Sequence, residues 1–215
     1  MVVMALQCGT HWDALAHAFH DYKMYNDRDC IMVGVDGALK NDISVMSDAI
    51  IGRAVLIDVA ASLGVPALDS GYRITAGDLT RALRNQAVEV RTGDILLIRT
   101  GHLQRIRASG SWEGLTYSDE PGIGLETLPW LYEHEISAVA TDNWALEVLP
   151  SRGEIMLPVH AVGIVYMGLT LGELFVLDAL AADCREDGVF EMLLVAPPLP
   201  FSRAVGSPVN PIAMK

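Results

Sequence analysis

Along most of this chain, apolar runs broken by polar punctuation alternate with segments of helical period. Arg53-Ala-Val-Leu-Ile-Asp58 has a continuous apolar middle, the pattern of a strand covered on both faces, and Gly64-Val65-Pro66 closes that unit. Ile95-Leu-Leu-Ile-Arg99, Ile136-Ser-Ala-Val-Ala-Thr-Asp142 and the stretch from Val189 to Ala196 read as further strands. Thr75 followed three residues later by Asp78 resembles a capping box, and Leu79, Ala82 and Leu83 then form the buried stripe of a helix ending near Gln86. Leu125 to His134 reads as a short helix with Pro129 in its first turn. Glu173 to Cys184 reads as another, with Leu174, Leu177 and Leu180 on one face and the Glu173 carboxylate at a helix N-terminus. The leading run Met1 to Leu6 predicts a buried strand, Ser109 to Gly124 a surface loop, and His20 to Asn41 an irregular rim carrying Tyr22, Tyr25 and Asn26. The tail from Pro197 to Pro211 is too rich in proline for a helix and predicts an extended arm over the sheet. Strands alternate with helices and no internal repeat is evident, so the pattern specifies a single α/β domain over residues 1–215.

Composition narrows the classes of function. The chain has 215 residues, 51% of them hydrophobic, and a formal net charge of −12. That acidity argues against nucleic acid and anionic membrane surfaces as partners, since both are bound through an excess of Lys and Arg. Charge or glycine breaks every apolar run well before the roughly 18 residues of a membrane span, and Met1-Val2-Val3-Met4 lacks the basic start of a signal peptide. Cys8, Cys30 and Cys184 are odd in number and widely spaced, which reads as reduced thiols in the cytoplasm. Strand alternation turns Cys8 away from Gln7 and predicts that it is buried.

Candidate chemistry concentrates in Gln7-Cys8-Gly9-Thr10-His11-Trp12-Asp13-Ala14-Leu15-Ala16-His17. His11 and Asp13 are two apart, so in an extended chain they leave one face together and can grip one cation. Gln7 adds an amide oxygen if the backbone turns at Gly9. Imidazole with carboxylate suits Zn²⁺, Mn²⁺ or Fe²⁺ better than Ca²⁺. Trp12, Leu15, Ala16 and Phe19 fall at helical spacings, and a helical turn after Asp13 would bring His17 beside the cation as an acid or base. Equally, these side chains could be hydrogen-bonded polar groups at a strand end. His102 reads as an exposed loop histidine.

The stretch resembles the signature H-x-G-T-H-x-D-x-P-x-H of the metal-dependent cyclase family, which includes bacterial kynurenine formamidase and isatin hydrolase. Gly9, Thr10, His11, Asp13 and His17 match in register, whereas Gln7 replaces the first His and Leu15 replaces the Pro. The substitution at position 7 removes one expected ligand and puts a two-metal arrangement in doubt. Similarity continues through Arg99-Thr100-Gly101, Asp142, His160, Glu173 and Gly206-Ser207-Pro208-Val209-Asn210-Pro211.

The resemblance implies a swivelling β/β/α architecture, a mixed sheet with flanking helices. It implies a metal-dependent hydrolase of an amide, lactam or related acyl bond in a small-molecule substrate, arylformamidase-like. Zinc or manganese would be held by His11, Asp13 and Glu173 together with Gln7 and His160, with His17 relaying protons. Trp12, Tyr22 and Tyr25 would wall an aromatic substrate. Rival readings are a non-catalytic binding or structural member and a cyclase or dehydratase of polyketide-like intermediates. Compared with relatives of this kind, the chain reads as shortened at its N-terminus, which would leave an apolar edge uncovered and favour a homo-oligomer, a dimer above all.

Overall fold

The computed structural model describes residues 1, 3–113, 115, 119–151 and 153–215. Its frame is an eight-stranded sheet. In chain order the strands are β1 (His11–Asp13), β2 (Ile51–Asp58), β3 (Ile95–Arg99), β4 (Ala138–Thr141), β5 (Thr170–Glu173), β6 (Glu191–Val195), β7 (Gly206–Pro208) and β8 (Ile212–Met214). Across the sheet the order is β7-β1-β5-β4-β3-β2-β6-β8. The four central strands run parallel. Antiparallel strands bound them, β1 and β7 on one side and β6 and β8 on the other. Every residue of β3, β4 and β5 is buried, as expected for parallel strands covered on both faces.

The covering helices are α1 (Val59–Ser62), α2 (Ala76–Gln86), α3 (His102–Ser109), α4 (Leu128–Glu133), α5 (Pro158–His160) and α6 (Asp178–Asp187). The α5 turn continues as a π-helix over Ala161–Tyr166. Helix α2 starts where its sequence predicts, with the Thr75 side chain and the Asp78 backbone and carboxylate in a reciprocal capping box. The single α/β domain with a mixed sheet and flanking helices is the architecture observed.

The sheet is strongly curled. Strands β7 and β8 lie at opposite ends of the strand order, yet Val209, Asn210 and Pro211 alone separate them in sequence. Seven flat inter-strand spacings would span about 34 Å, whereas the chain from Pro208 to Ile212 reaches about 14 Å at most. The two edges must therefore approach one another, and the proline-rich tail is what bridges them. It contributes two strands to the sheet rather than lying over it as an arm.

Three local expectations fail for identifiable reasons. Met1, Val3 and Met4 are exposed and form no strand, while Val2 lies outside the described residues. The outer edge of β1 is paired with Gly206–Pro208 from the tail. Glu173 ends a buried strand rather than opening a helix, because β1 and β4 hold Thr170–Glu173 between them and α6 begins only at Asp178. The segment read as a surface loop up to Gly124 turns inward, with residues 120–124 buried and Gly122–Ile123 paired to Arg73–Ile74; Gly114, Thr116, Tyr117 and Ser118 in that segment are outside the described residues.

Gly172 sets how closely β1 and β5 approach. A Cβ there would lie 2.5 Å from Trp12 Cζ3 and 2.8 Å from Phe175 Cε2, inside the contact distance of a close-packed core. Gly172→Ala is expected to cost about 1–3 kcal/mol through overpacking, read as a lower urea midpoint with an unchanged slope. An unaltered midpoint would mean that the Trp12 ring moves aside freely.

Candidate metal centre

The site is built where β1 meets the C-terminal end of β5. Antiparallel pairing sets His11 opposite Glu173, and strand alternation sends Asp13 out on the same face as His11. Trp12 necessarily takes the other face, where it is fully buried, packs edge-on against Phe175 at 4.9 Å between ring centroids and donates its indole N–H to Ala196 O at 2.9 Å. It is thus an anchor of the strand and not a wall of a substrate site. After Asp13 the chain turns, with His17 N donating to Ala14 O at 2.9 Å, and His17 Nε2 comes within 3.9 Å of Asp13 Oδ1.

Four side chains converge in a regular pattern. His11 Nε2 lies 3.5 Å from Asp13 Oδ1 and 3.3 Å from Glu173 Oε2, and His160 Nε2 lies 3.6 Å from Asp13 Oδ2 and 3.2 Å from Glu173 Oε1. Donors at about 2.0–2.2 Å from a tetrahedral cation are separated by about 3.3–3.6 Å, so these spacings fit ligands around metal rather than groups bonded to one another. His11, Asp13 and Glu173 form one candidate group, and Asp13, His17 and His160 another that shares the Asp13 carboxylate.

The tautomers are set from outside the cluster. His11 Nδ1–H donates to Gly9 O at 2.7 Å, which leaves Nε2 as the atom facing the carboxylates. His160 Nδ1–H donates to Glu147 Oε1 at 2.8 Å, and Glu147 is itself held by the backbone N–H groups of Val159 at 3.1 Å and His160 at 2.9 Å. A carboxylate gripping the far nitrogen of a histidine orients the ring and strengthens it as a ligand. His11 Nε2 and Asp13 Oδ2 are buried and have no hydrogen-bond partner among the described residues. Such orphans are costly in a native interior, and a divalent cation is the group that would satisfy a neutral imidazole and a carboxylate together.

Electrostatics point the same way. Burial disfavours an imidazolium at His11, yet the Asp13 and Glu173 carboxylates, 3.5 and 3.3 Å away, raise its pKa to about 10. His160 is raised for the same reasons, against its own burial, with Glu147 adding to the effect. Burial alone would raise the Asp13 carboxyl, but the charge of His17 and the nearby imidazoles of His11 and His160 hold it well below the usual carboxylate range. The pocket is therefore built around negative charge and takes up cations, protons included.

Gln7 is close, although its amide nitrogen is what faces inward, 2.5 Å from Asp13 Oδ1 and 3.1 Å from His17 Nδ1. In this orientation it ties Asp13 to His17 instead of presenting its oxygen to a cation. Tyr22 is 82% exposed. Tyr25 is half-buried with its ring over Gly168, and neither tyrosine contacts the cluster in any described hydrogen bond or ring pair. Arg99 pairs with Asp58 at 3.1 Å and Asp178 at 3.2 Å. Asp142 accepts from Thr100 N, Thr100 Oγ1 and Gly101 N at 2.7, 2.6 and 2.7 Å, with burial pushing its carboxyl up to about 6. Both brace the ends of β3 and β4. His102 is buried at the start of α3 rather than exposed in a loop, and Cys8 is exposed rather than buried.

Two carboxylates escaped the sequence reading. One is Glu147, described above. The other is Glu120, wholly buried, with Oε2 accepting from Trp144 N at 2.8 Å and Oε1 lacking a partner among the described residues. Burial pushes its carboxyl up to about 8, assisted by the charge of Glu173 and opposed by the Trp144 N–H. Neither carries a local sequence signal, because each works through a contact distant in sequence.

The Cyclase family model matches residues 1–148, more than half of the chain. The chain belongs to the cyclase family. A crystal structure described as a novel cyclase is 38% identical with a TM-score of 0.89, the match covering 99% of this chain and 71% of that one. At low identity the fold is shared with isatin hydrolase A from Labrenzia aggregata bound to benzyl benzoate, at 19% identity and TM-score 0.67 over 95% of this chain and 72% of that chain. It is also shared with a structure described as a potential metal-dependent hydrolase with cyclase activity, at 18% identity and TM-score 0.60 over 98% and 80%. No curated protein matches the chain. Among the described residues, no helix of this family member is long and apolar enough to cross a membrane.

Glu120 has a consequence for stability in the metal-free protein. Its folded value of about 8 lies above that of an ordinary Glu, so between about pH 4.5 and pH 8 the folded chain keeps a proton that the unfolded chain has released. Stability from this group therefore falls as pH rises through that window, by at most about 1.4 kcal/mol per unit. Glu120→Gln is expected to flatten the loss, measured as urea midpoints at about pH 5 and about pH 8 with chelator present. Identical pH slopes in parent and variant would show that Glu120 ionises normally.

Proposed function

We infer that this protein is a metal-dependent hydrolase of an amide, lactam or related acyl bond, using zinc or manganese held by His11, Asp13, Glu173 and His160. The observation that carries this reading is the pair of buried, partnerless atoms His11 Nε2 and Asp13 Oδ2, set at ligand-like spacing from Glu173 and His160. The shared fold with isatin hydrolase A and with a structure described as a potential metal-dependent hydrolase supports the reaction class. When bound, the divalent cation polarises a carbonyl and makes water nucleophilic near neutral pH.

The protein's own part is positioning and proton transfer. Glu147 keeps His160 turned toward the carboxylates, and Gly9 O does the same for His11. His17 is the accessible member of the cluster, its side chain 29% exposed. Its Nδ1 faces the Gln7 amide at 3.1 Å, which fixes the ring beside Asp13. The imidazole takes a proton from the attacking water on its unprotonated ring nitrogen and returns it to the leaving nitrogen, while Asp13 beside it stabilises the imidazolium formed in between.

His11→Ala and Asp13→Ala are each expected to abolish bound metal, because few protein ligands remain. His17→Asn should keep the metal and lower turnover by about 10²-fold or more. Elemental analysis of the purified proteins, beside a hydrolysis screen of N-formyl anilides, isatin and simple lactams with Mn²⁺ or Zn²⁺, decides both. Full metal content in His11→Ala and Asp13→Ala would refute the ligand assignment, and loss of metal in His17→Asn would move His17 into the ligand set. Glu147→Gln keeps the shape but weakens the hold on His160, and its metal affinity should fall by about 10- to 100-fold; an unchanged dissociation constant would mean the ring is oriented by other contacts.

A further inference from the structure

A cavity of about 520 Å³ adjoins the site, within the usual size range for small-ligand pockets. Its floor is the backbone on either side of the proposed ligands. Gly9 and Thr10 precede His11, Leu174 follows Glu173, and all three line the cavity. Thr10 Oγ1 donates to Leu174 O at 2.7 Å, closing that floor. The carbonyl of Gly9, a lining residue, accepts from His11 Nδ1 at 2.7 Å, so the cavity wall touches the ring of a proposed ligand. The groove lined by Arg53, Arg84, Trp130 and His134 is larger but includes no neighbour of a proposed ligand.

The walls are apolar with one charge. Leu103, Trp112, Leu115, Leu174 and Val176 supply the apolar surface, and Trp112 and Val176 are 65% and 52% exposed. Leu174 is held at φ 55, a conformation uncommon for a bulky residue, with its N–H on Asn143 O and its carbonyl on Thr10. Arg107 lies one helical turn beyond Leu103 on α3, on the same helix face. It is the one formally charged residue of the lining and is exposed to an incoming ligand. A guanidinium beside apolar walls in a chain of net charge −12 is suited to a carboxylate, which it can bind through two parallel N–H bonds.

We propose that this cavity is the substrate-body pocket and that it selects acyl compounds whose apolar, ring-sized body ends in a carboxylate, which Arg107 binds. The proposal takes its orientation from the metal-dependent hydrolase reading, but its test separates the two. Titration calorimetry of the full chain with 3-phenylpropanoate and with the uncharged 3-phenylpropanol is run with and without EDTA. The parent protein is expected to bind the acid more tightly than the alcohol by about three- to tenfold, the range for an accessible charge-assisted pair, and EDTA should not change this. Arg107→Met should erase the preference while leaving alcohol binding intact, and Trp112→Ala should weaken both ligands. Equal binding of acid and alcohol, a preference that survives Arg107→Met, or a preference lost with EDTA would each overturn the proposal. Once a hydrolysed substrate is found, Arg107→Met should raise KM for its carboxylate-bearing members with kcat preserved. Binding that behaves as expected in a protein that hydrolyses nothing would refute the reaction and leave the pocket standing.

Discussion

Two carboxylates, Asp13 and Glu173, are buried side by side, and much of the molecule follows from what that requires. An unpaired buried charge costs several kcal/mol, so the fold must deliver compensating groups to within hydrogen-bond range and hold them there. It does so from two distant parts of the chain. Strand β1 and the turn after it bring His11 and His17, and α5 brings His160. Each is fixed by contacts outside the cluster: Gly9 O and Glu147 set two of the rings, and Trp12 pins β1 into the core on the reverse face. The same neutralisation can be met by protons or by a cation, which is why a structure with raised imidazoles and one carved for metal are two descriptions of a single electrostatic demand.

The parallel strands show how the rest of the sheet serves this corner. Their C-terminal ends are tied to each other by Arg99 with Asp58 and by Asp142 with the amides of Thr100 and Gly101. Ligand sites in open α/β sheets lie outside these ends, and Glu173 stands at the corresponding end of β5. Residues 99–101 and 142 therefore brace the strand ends beside the candidate site.

The elements legible from sequence are those whose cause is local. The capping box at Thr75 and the apolar runs of β2, β3 and β4 specify themselves within a few residues, and so does the alternation that brings His11 and Asp13 together. The same alternation turns Trp12 away from the site, an implication the pattern contained and the family-based expectation of a substrate wall overrode. Thr170–Glu173 was illegible because a short buried strand with an internal glycine followed by leucines imitates the start of a helix. Glu120 and Glu147 were illegible for a deeper reason. Their burial and their partners arise only when segments far apart in the chain are brought together.

The tail that bridges the two sheet edges also bears on when the site can exist. Strand β1, which carries His11 and Asp13 near the beginning of the chain, gains one of its two neighbours only from residues 206–208. A pairing across so much intervening sequence is slow to form, and during synthesis it cannot begin until residues 206–208 have been made. Until then a nascent chain carries His11 and Asp13 without the enclosure that brings them into one candidate site.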